Sequence, residues 1–286
     1  FLTAMLTLGQ GEYHLDGVKR MRQRPIMHLV TALNQLGAHI DAASGCPPVH
    51  IHARGLAGGS TSVHGNISSQ FLSGLLMAAP YAQESVDIEV LGSLHSKPYI
   101  DLTLGVMADF GVQVQREGYL HFHIDPQAYS AIEDYPIESD ASAASYFFAA
   151  AALCGGWLEV DNLTPKTRQG DLAFLDILSE MGCIVTHEGN AMRISSRGQL
   201  KGVDVDMADI SDTSMTLGAI APFANSPTTI RGIASSRLKE TDRVAATCCE
   251  LSRLGVRVEE HSDGMTIYPC TKFRATQIHT YDDNRI

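Results

Sequence analysis

The sequence lacks features that mark several common protein classes. No apolar run reaches the roughly 18 residues of a membrane-spanning helix. The apolar opening FLTAMLTLGQGEY has neither the basic flank nor the cleavage site of a signal peptide. The six cysteines show no CxxC spacing, so we expect reduced thiols in a cytoplasmic protein. The 21 basic residues are outnumbered by 32 acidic ones, and a net charge of −11 argues against a nucleic-acid partner.

Phosphate-binding glycine loops of the Walker and Rossmann kinds are also missing. Histidines alternate at His50 and His52, and again at His121 and His123, on expected strands. Either pair could face one side of a sheet, but no third ligand is spaced nearby. We therefore predict no metal site. In so acidic a chain, an anionic ligand would need locally concentrated Arg and Lys.

What the sequence does contain is an internal repeat. Four amphipathic helical segments each end in a glycine that is followed by β-branched or apolar residues. Their period is about 70 to 75 residues. Each glycine fits a helix C-cap, and the residues after it fit the start of a strand. The marker glycines are Gly37, Gly111, Gly182 and Gly255.

A second kind of helix recurs between these segments and is apolar nearly all round, which is typical of a buried helix. Its copies are FLTAMLTLGQG, SSQFLSGLLMAAPYA, SDASAASYFFAAAALCGG and SDTSMTLGAIAPFANSP. Short strands bounded by Gly, Asn or Pro complete an α/β (α+β) unit. A composition shift near IEDYPIESD predicts two domains, 1–139 and 140–286. We expect the chain to begin and end inside a unit.

Basic residues crowd before the first amphipathic helix, in VKRMRQRPI. Pro25 would suit the first helical position, which places Arg24 at the positive end of the helix dipole, where anions bind. The alternative is a solvated basic loop.

Two buried-helix starts carry serine. GNISSQF places Ser68 and Ser69 there, and HSKPYID places Ser96 and Lys97 before Pro98. Serine at such a position can simply cap the helix. Alternatively, hydroxyls and helix N–H groups together form a phosphate cradle.

Two later helix starts carry carboxylates. ISDTSMT presents Asp212, and RLKETDRV presents Lys239, Glu240 and Arg243. Asp212 is either a helix cap or a general base whose pKa is tuned by its surroundings. Glu240 is expected in the first helical turn, where it either makes an i, i+3 surface pair with Arg243 or belongs to a site. If the repeats pack around an axis, these helix starts converge into an anion site.

The motifs RLKETDR, GNISSQFLSGLLMAAP, HSKPYIDLTL, KRMRQRPIMHLV, ESDASAASYFFAAAA and ISDTSMTLGAIA occur together along the whole chain. In this combination the sequence resembles the 5-enolpyruvylshikimate-3-phosphate (EPSP) synthases. The resemblance implies two globular domains, each built from three βαβαββ units, with the site in the cleft between them. About four of the six units are expected here, from the middle of a longer chain.

The resemblance also implies roles for individual residues. Asp212 and Glu240 are expected to be catalytic: Asp212 orients the shikimate 5-hydroxyl and takes its proton, while Glu240 protonates C3 of phosphoenolpyruvate and later removes that proton. Shikimate 3-phosphate would be bound by Ser68, Ser69, Gln70, Ser96, Tyr99, Asp212 and Lys239. Phosphoenolpyruvate would be bound by Arg24, Gln70, Arg243 and Arg285.

The implied reaction is an addition–elimination that needs no cofactor, carried out by a cytoplasmic monomer on two small-molecule substrates. Two positions depart from the pattern of the resembling enzymes. YDDNR has Asn284 where they carry His, and Ser235 stands where some have Asn. The alternatives are an inactive anion-binding remnant of the same fold and another enolpyruvyl transferase.

Overall fold

The computed structural model describes residues 1–65 and 68–286. The chain divides into two compact units, Phe1–Tyr135 and Pro136–Ile286, here called the N-terminal and C-terminal units. Each unit has its own buried hydrophobic core. The division lies between Tyr135 and Pro136, whereas the boundary near residue 139 remains a prediction about the domains.

The N-terminal unit contains four helices and seven strands in its described residues. The helices are α1 (Leu2–Thr7), α2 (Met27–Gln35), α3 (Ser69–Ala78) and α4 (Lys97–Asp109). The strands are β1 (Gly11–Leu15), β2 (Ile40–Asp41), β3 (Val49–Ala53), β4 (Gly59–His64), β5 (Val86–Leu91), β6 (Gln115–Glu117) and β7 (His121–Ile124).

The C-terminal unit repeats this order of elements. Its helices are α5 (Ala141–Cys154), α6 (Phe174–Glu180), α7 (Ser214–Ile220) and α8 (Arg243–Arg253). Its strands are β8 (Gly156–Asp161), β9 (Ile184–Glu188), β10 (Ala191–Ser196), β11 (Asp204–Asp206), β12 (Thr228–Arg231), β13 (Val258–His261) and β14 (Gly264–Ile267).

The sheets confirm the repeat. In each unit a three-stranded antiparallel sheet comes first, with order β1-β3-β2 in one and β8-β10-β9 in the other. A four-stranded mixed sheet follows, with order β4-β5-β7-β6 or β11-β12-β14-β13. The elements that build these second sheets run βαβαββ in both units. In each, the first two strands are parallel neighbours and the other pairings are antiparallel.

The four marker glycines end their helices as predicted. Gly37, Gly111, Gly182 and Gly255 all have positive φ, between 85° and 109°. At Gly37 the glycine N–H reaches the Asn34 carbonyl, and the next N–H, of Ala38, reaches the Leu33 carbonyl. Both bonds recur at the other three glycines, and this pattern satisfies carbonyls that the helix end leaves open. A side chain at this φ would be strained, so the glycine is needed for its conformation.

Some element boundaries differ from the prediction. The amphipathic helix after Arg24 begins at Met27 with Ile26 as N-cap, so Pro25 precedes the helix instead of opening it. Strand β11 was not predicted, because its Asp-Val-Asp sequence has low strand propensity. Among the described residues, none of the helices combines the length and the hydrophobicity that crossing a bilayer requires.

Candidate functional site

Apart from Arg24, the candidate residues of the N-terminal unit follow the carboxyl ends of two parallel strands. Strand β4 leads to α3 and its neighbour β5 leads to α4, in register from Gly59 opposite Val86 to His64 opposite Leu91. The loops after both strands are tied by a hydrogen bond from the His95 N–H to the Gly65 carbonyl, 3.1 Å long. The starts of α3 and α4 are therefore held side by side, a common position for ligands in α/β sheets.

At the start of α3, Ser68 is the N-cap residue with extended backbone, yet its hydroxyl makes no cap bond to the helix. Ser69 opens the helix and is half-buried, and Gln70 is exposed. The start of α3 is therefore not capped by the Ser68 hydroxyl, and a helix N-terminus of this kind suits an anion. Asn66 and Ile67 of the GNISSQF stretch lie outside the described residues.

At the start of α4, Ser96 is the N-cap residue and adopts a left-handed conformation with φ of 55°. It is buried, whereas Lys97 is exposed and lies 5.5 Å from the centre of the Tyr119 ring. Tyr99 donates its N–H to the Ser96 carbonyl at 3.1 Å. A non-glycine residue in this conformation is uncommon and is often found at functional sites.

Arg24 has a different setting from the one predicted. It follows the short 3-10 helix Met21–Gln23, and two residues separate it from α2. The nearby Arg22 forms a two-pronged ion pair with Asp16, at 2.9 and 2.5 Å. The charge of Arg22 is thus neutralised by Asp16 within the same loop. The Arg24 residue is half-buried, and its backbone is extended.

The C-terminal unit uses the same scaffold positions two repeats later. Strand β11 is followed by Asp212, and its parallel neighbour β12 is followed by Lys239 and Glu240. Asp212 lies in the 3-10 turn Ser211–Thr213 and makes no helix-cap bond. The Lys239 Nζ lies 3.9 Å from the Asp212 Oδ1. The turns after the two parallel strands thus carry charged residues in this unit and serines in the N-terminal unit.

Arg243 connects these residues. Its side chain is only 3% exposed, and its Nη1 donates to Asp212 Oδ1 at 3.2 Å. Its Nη2 donates to Glu240 Oε2 at 2.7 Å. The predicted i, i+3 pair therefore exists, but on a buried guanidinium and not as a solvated surface contact. Glu240 was wrongly predicted in the first helical turn, because Asp242 is the N-cap of α8 and accepts the Ala245 N–H at 2.9 Å.

Asp283 is the most buried member of this cluster, and sequence reasoning missed it. Its side chain is fully buried and accepts from Arg243 Nε at 2.9 Å and from Nη2 at 3.1 Å. It also accepts the Arg285 N–H at 2.9 Å. Burial acts to raise the pKa of Asp283, but these hydrogen bonds outweigh it and leave the pKa below its ordinary value.

Arg285 lies on the other side of Asp212, with 3.8 Å between its Nη2 and Asp212 Oδ2. Burial acts to lower its pKa, but Tyr146, Asp212 and Asp140 raise it above the ordinary value. Tyr146 and Asp140 belong to the motif ESDASAASYFF, at the N-terminal end of α5. The motif was recognised in the sequence, but neither residue was predicted to lie near Arg285. Asn284 is exposed next to Arg285.

Three acids and three bases thus form one cluster, here called the ion cluster, in the C-terminal unit. Its members are Asp212, Lys239, Glu240, Arg243, Asp283 and Arg285. Such a cluster can bind an anion through the bases and can move protons through Asp212 and Glu240, which are 21% and 40% exposed, whereas the Asp283 side chain is inaccessible.

The alternating histidines have local partners. His50 lies opposite His14, with 3.4 Å between their Nδ1 atoms, and His123 Nδ1 lies 2.8 Å from Asp87 Oδ1. Among residues 1–65 and 68–286, no three His, Cys, Asp or Glu side chains are arranged to hold a metal ion.

The sequence profile of the family described as EPSP synthase (3-phosphoshikimate 1-carboxyvinyltransferase) matches residues 1–286. The chain belongs to the EPSP synthase family. Proteins named 3-phosphoshikimate 1-carboxyvinyltransferase are 49% identical to it in Trichormus variabilis, over 289 residues, and 47% identical in Sulfurovum sp., over 288 residues. Both matches cover all of this chain and 67% of the relative, so the chain spans about two thirds of these EPSP synthases.

Solved structures agree on the fold. A structure of EPSP synthase from Acinetobacter baumannii matches with a TM-score of 0.76 over 99% of this chain and 67% of that one. The sequence identity is 24%, so this match supports the EPSP synthase fold alone. It confirms the predicted α/β fold of repeated units.

Proposed function

We propose that this protein transfers the enolpyruvyl group of phosphoenolpyruvate to the 5-hydroxyl of shikimate 3-phosphate and releases phosphate. Membership of the EPSP synthase family and the names of its relatives support this reaction, which serves the shikimate pathway. The structural observation that carries the proposal is the ion cluster, where two accessible carboxylates share the buried Arg243.

Each substrate is assigned the groups that match its charge. The serines at the starts of α3 and α4, with Gln70, Tyr99, Asp212 and Lys239, are assigned to shikimate 3-phosphate. Arginines fit phosphoenolpyruvate, because a planar guanidinium pairs with a carboxylate or phosphate through two hydrogen bonds. The groups assigned to phosphoenolpyruvate are Arg24, Arg243 and Arg285, together with Gln70.

Proton transfer is assigned to the two accessible acids. Glu240 gives a proton to C3 of phosphoenolpyruvate, which makes C2 electrophilic, and Asp212 takes the proton of the 5-hydroxyl as its oxygen adds to C2. Phosphate then leaves C2 while Glu240 recovers the C3 proton. Such acid–base catalysis contributes about 10²–10⁴-fold, and binding both polyanions together contributes further.

The ion cluster places Glu240 against a guanidinium that is also assigned to phosphoenolpyruvate. In the structure, Glu240 Oε2 accepts a hydrogen bond from Arg243 Nη2 at 2.7 Å. An incoming phosphoenolpyruvate, which is assigned to Arg243, competes for the same guanidinium. Substrate binding would therefore release the Glu240 carboxyl from Arg243 for the proton transfer assigned to it. The expected monomeric state and cytoplasmic location remain predictions.

Phosphate release from shikimate 3-phosphate and phosphoenolpyruvate tests the proposal. We expect steady turnover by the purified protein, and a decrease of about 10²–10⁴-fold in Glu240→Ala, since that variant loses the acid–base group. Titration calorimetry should show that Glu240→Ala still binds both substrates. Absence of turnover in the unmodified protein would favour an anion-binding remnant, and near-normal turnover in the variant would exclude Glu240 from proton transfer.

A further inference from the structure

The segment that carries Asp283 and Arg285 runs without regular structure after β14 and returns to helix α8. Arg243, the first residue of α8, binds Asp283. Glu250 lies seven residues further along the same helix, which is about two turns, so both side chains leave the helix on one face. The returning segment is therefore held at two points on α8.

Glu250 is the second of these points and is a charged residue in a buried position, only 5% exposed. Its Oε1 accepts the Tyr281 hydroxyl at 2.7 Å, and its Oε2 accepts the His279 N–H at 3.1 Å. Arg253 balances its charge, with its Nη1 3.1 Å from both oxygens. Each carboxylate oxygen thus binds the returning segment, and the residue plays no part in the reaction as assigned above.

The backbone between the two points explains why a second attachment is needed. Tyr281 and Asp282 have φ of 55° and 54°, so two successive non-glycine residues are left-handed. This conformation is disfavoured for residues with a side chain and persists only where surrounding contacts impose it. The turn at 281–282 directs the Asp283 side chain to Arg243, while the Asp283 N–H reaches the Thr280 carbonyl at 2.9 Å.

We propose that Glu250 is a positioning residue for anion binding: through Tyr281 and the His279 N–H it imposes the left-handed turn that places Asp283 on Arg243 and Arg285 beside Asp212. The inference rests on the proposed function, in which both arginines bind phosphoenolpyruvate. Loss of the Glu250 contacts releases the turn and misplaces these arginines, while the serines at the starts of α3 and α4, assigned to shikimate 3-phosphate, are untouched.

The chain offers a matched control. Tyr268 also donates its hydroxyl to a glutamate, Glu259, at 3.0 Å in the same unit. Glu259 lies on β13 and its charge is paired with Arg257. Tyr268→Phe therefore removes the same kind of hydrogen bond as Tyr281→Phe, but at the start of the segment and away from the turn at 281–282.

The test measures KM for each substrate and the affinity for phosphoenolpyruvate by calorimetry. We expect Tyr281→Phe to weaken phosphoenolpyruvate binding about tenfold, since it removes one hydrogen bond to a charged group. Glu250→Ala should weaken it further, and Glu250→Gln should recover part of the loss because its amide oxygen still accepts from Tyr281. KM for shikimate 3-phosphate should rise less than KM for phosphoenolpyruvate, because its serines are untouched although Asp212 contacts Arg243 and Arg285. Every constant of Tyr268→Phe should stay unchanged.

Two results would overturn the inference. One is an unchanged phosphoenolpyruvate affinity in Tyr281→Phe, a variant that keeps its ring and is expected to fold even if Glu250→Ala does not. The other is an equal loss of affinity for both substrates, which indicates general destabilisation. Unmodified protein that binds phosphoenolpyruvate without turnover would count against the proposed function alone, because the binding comparison would still decide the role of Glu250.

Discussion

The two units place different chemistry on the same scaffold. In the N-terminal unit, the helix starts after two parallel strands carry the hydroxyls of Ser68, Ser69 and Ser96. In the C-terminal unit, the turns after the equivalent parallel strands carry Asp212, Lys239 and Glu240, and Arg243 binds both Asp212 and Glu240. We propose that the repeated fold offers an anion neutral donors in one unit and paired charges in the other.

This difference teaches how each site depends on its surroundings. A serine hydroxyl and helix N–H groups need no partner to remain neutral, so their substitution should affect ligand binding alone. The buried charges of the ion cluster need each other, because removal of one leaves another without compensation. Substitution there should affect both stability and binding.

The largest expected effect separates the two units by stability. Arg243→Ala should lower the free energy of unfolding of the C-terminal unit by about 3–5 kcal/mol, because it leaves the buried Asp283 uncompensated. Ser68→Ala should change the stability by less than about 0.5 kcal/mol. Urea unfolding followed by the fluorescence of Trp157, the single tryptophan and a residue of the C-terminal unit, measures the first effect. Circular dichroism follows the second. If Arg243→Ala were as stable as the unmodified protein, the charges of the ion cluster would not contribute to stability as proposed.

The next effect concerns affinity. Ser68→Ala should weaken binding of shikimate 3-phosphate about tenfold or more, the size expected for one hydrogen bond to a charged group. The affinity for phosphoenolpyruvate should stay the same, because the arginines are retained. Titration calorimetry with each ligand checks this. Unchanged binding of shikimate 3-phosphate would mean that this hydroxyl is not part of the phosphate site.

Acid should act on the ion cluster through Asp283. Its folded-state pKa is lowered, so it contributes stability above its ordinary pKa of 3.8, and this contribution is lost as the pH falls through the lower folded value. We expect the unfolding free energy to fall below about pH 4, with a slope of up to about 1.4 kcal/mol per pH unit for one proton. Trp157 fluorescence between pH 5 and 3 should show a shallower slope in Asp283→Asn. If the unfolding free energy of Asp283→Asn and of the unmodified protein changed with pH at the same slope, Asp283 would not be the source of the acid dependence.

The smallest effect has the opposite sign and belongs to the N-terminal unit. The hydrogen bond to Asp87 raises the pKa of His123 above 6.5. Its contribution to stability is therefore complete below pH 6.5 and is lost as the pH rises through the folded value. The side chain is 30% exposed, so roughly 0.2–1 kcal/mol is expected. An NMR titration should give a lower pKa for His123 in Asp87→Asn, and an unchanged value would refute the pairing.

Local sequence signals predicted most of the fold. The marker glycines located four helix ends, and short runs such as GSTSVHG and SVDIEVLG located strands β4 and β5. The start of α8 was predicted too early in the sequence. Asp242 is the N-cap of α8, so Glu240 lies before the helix and not in its first turn. Strand β11 forms because it pairs with β12, in spite of its two aspartates.

The candidate site was only partly predictable for a related reason. Residues within one motif, such as Glu240 and Arg243, could be paired from their spacing. Asp283 could not, because its partner Arg243 is 40 residues away in sequence and the contact depends on the path of an irregular segment. Glu250 was missed likewise, since a glutamate in an amphipathic helix is ordinarily solvent-exposed.

The left-handed turn at Tyr281 and Asp282 also limits how this segment can change in evolution. At 282, with φ of 54°, only glycine and the short polar residues Asn and Asp are accommodated readily, so neutral drift there is confined to about three residue types. At 281 a glycine would relieve the backbone but remove the hydroxyl that Glu250 binds. Neighbouring positions therefore evolve under different constraints, the backbone at one and a single oxygen atom at the other.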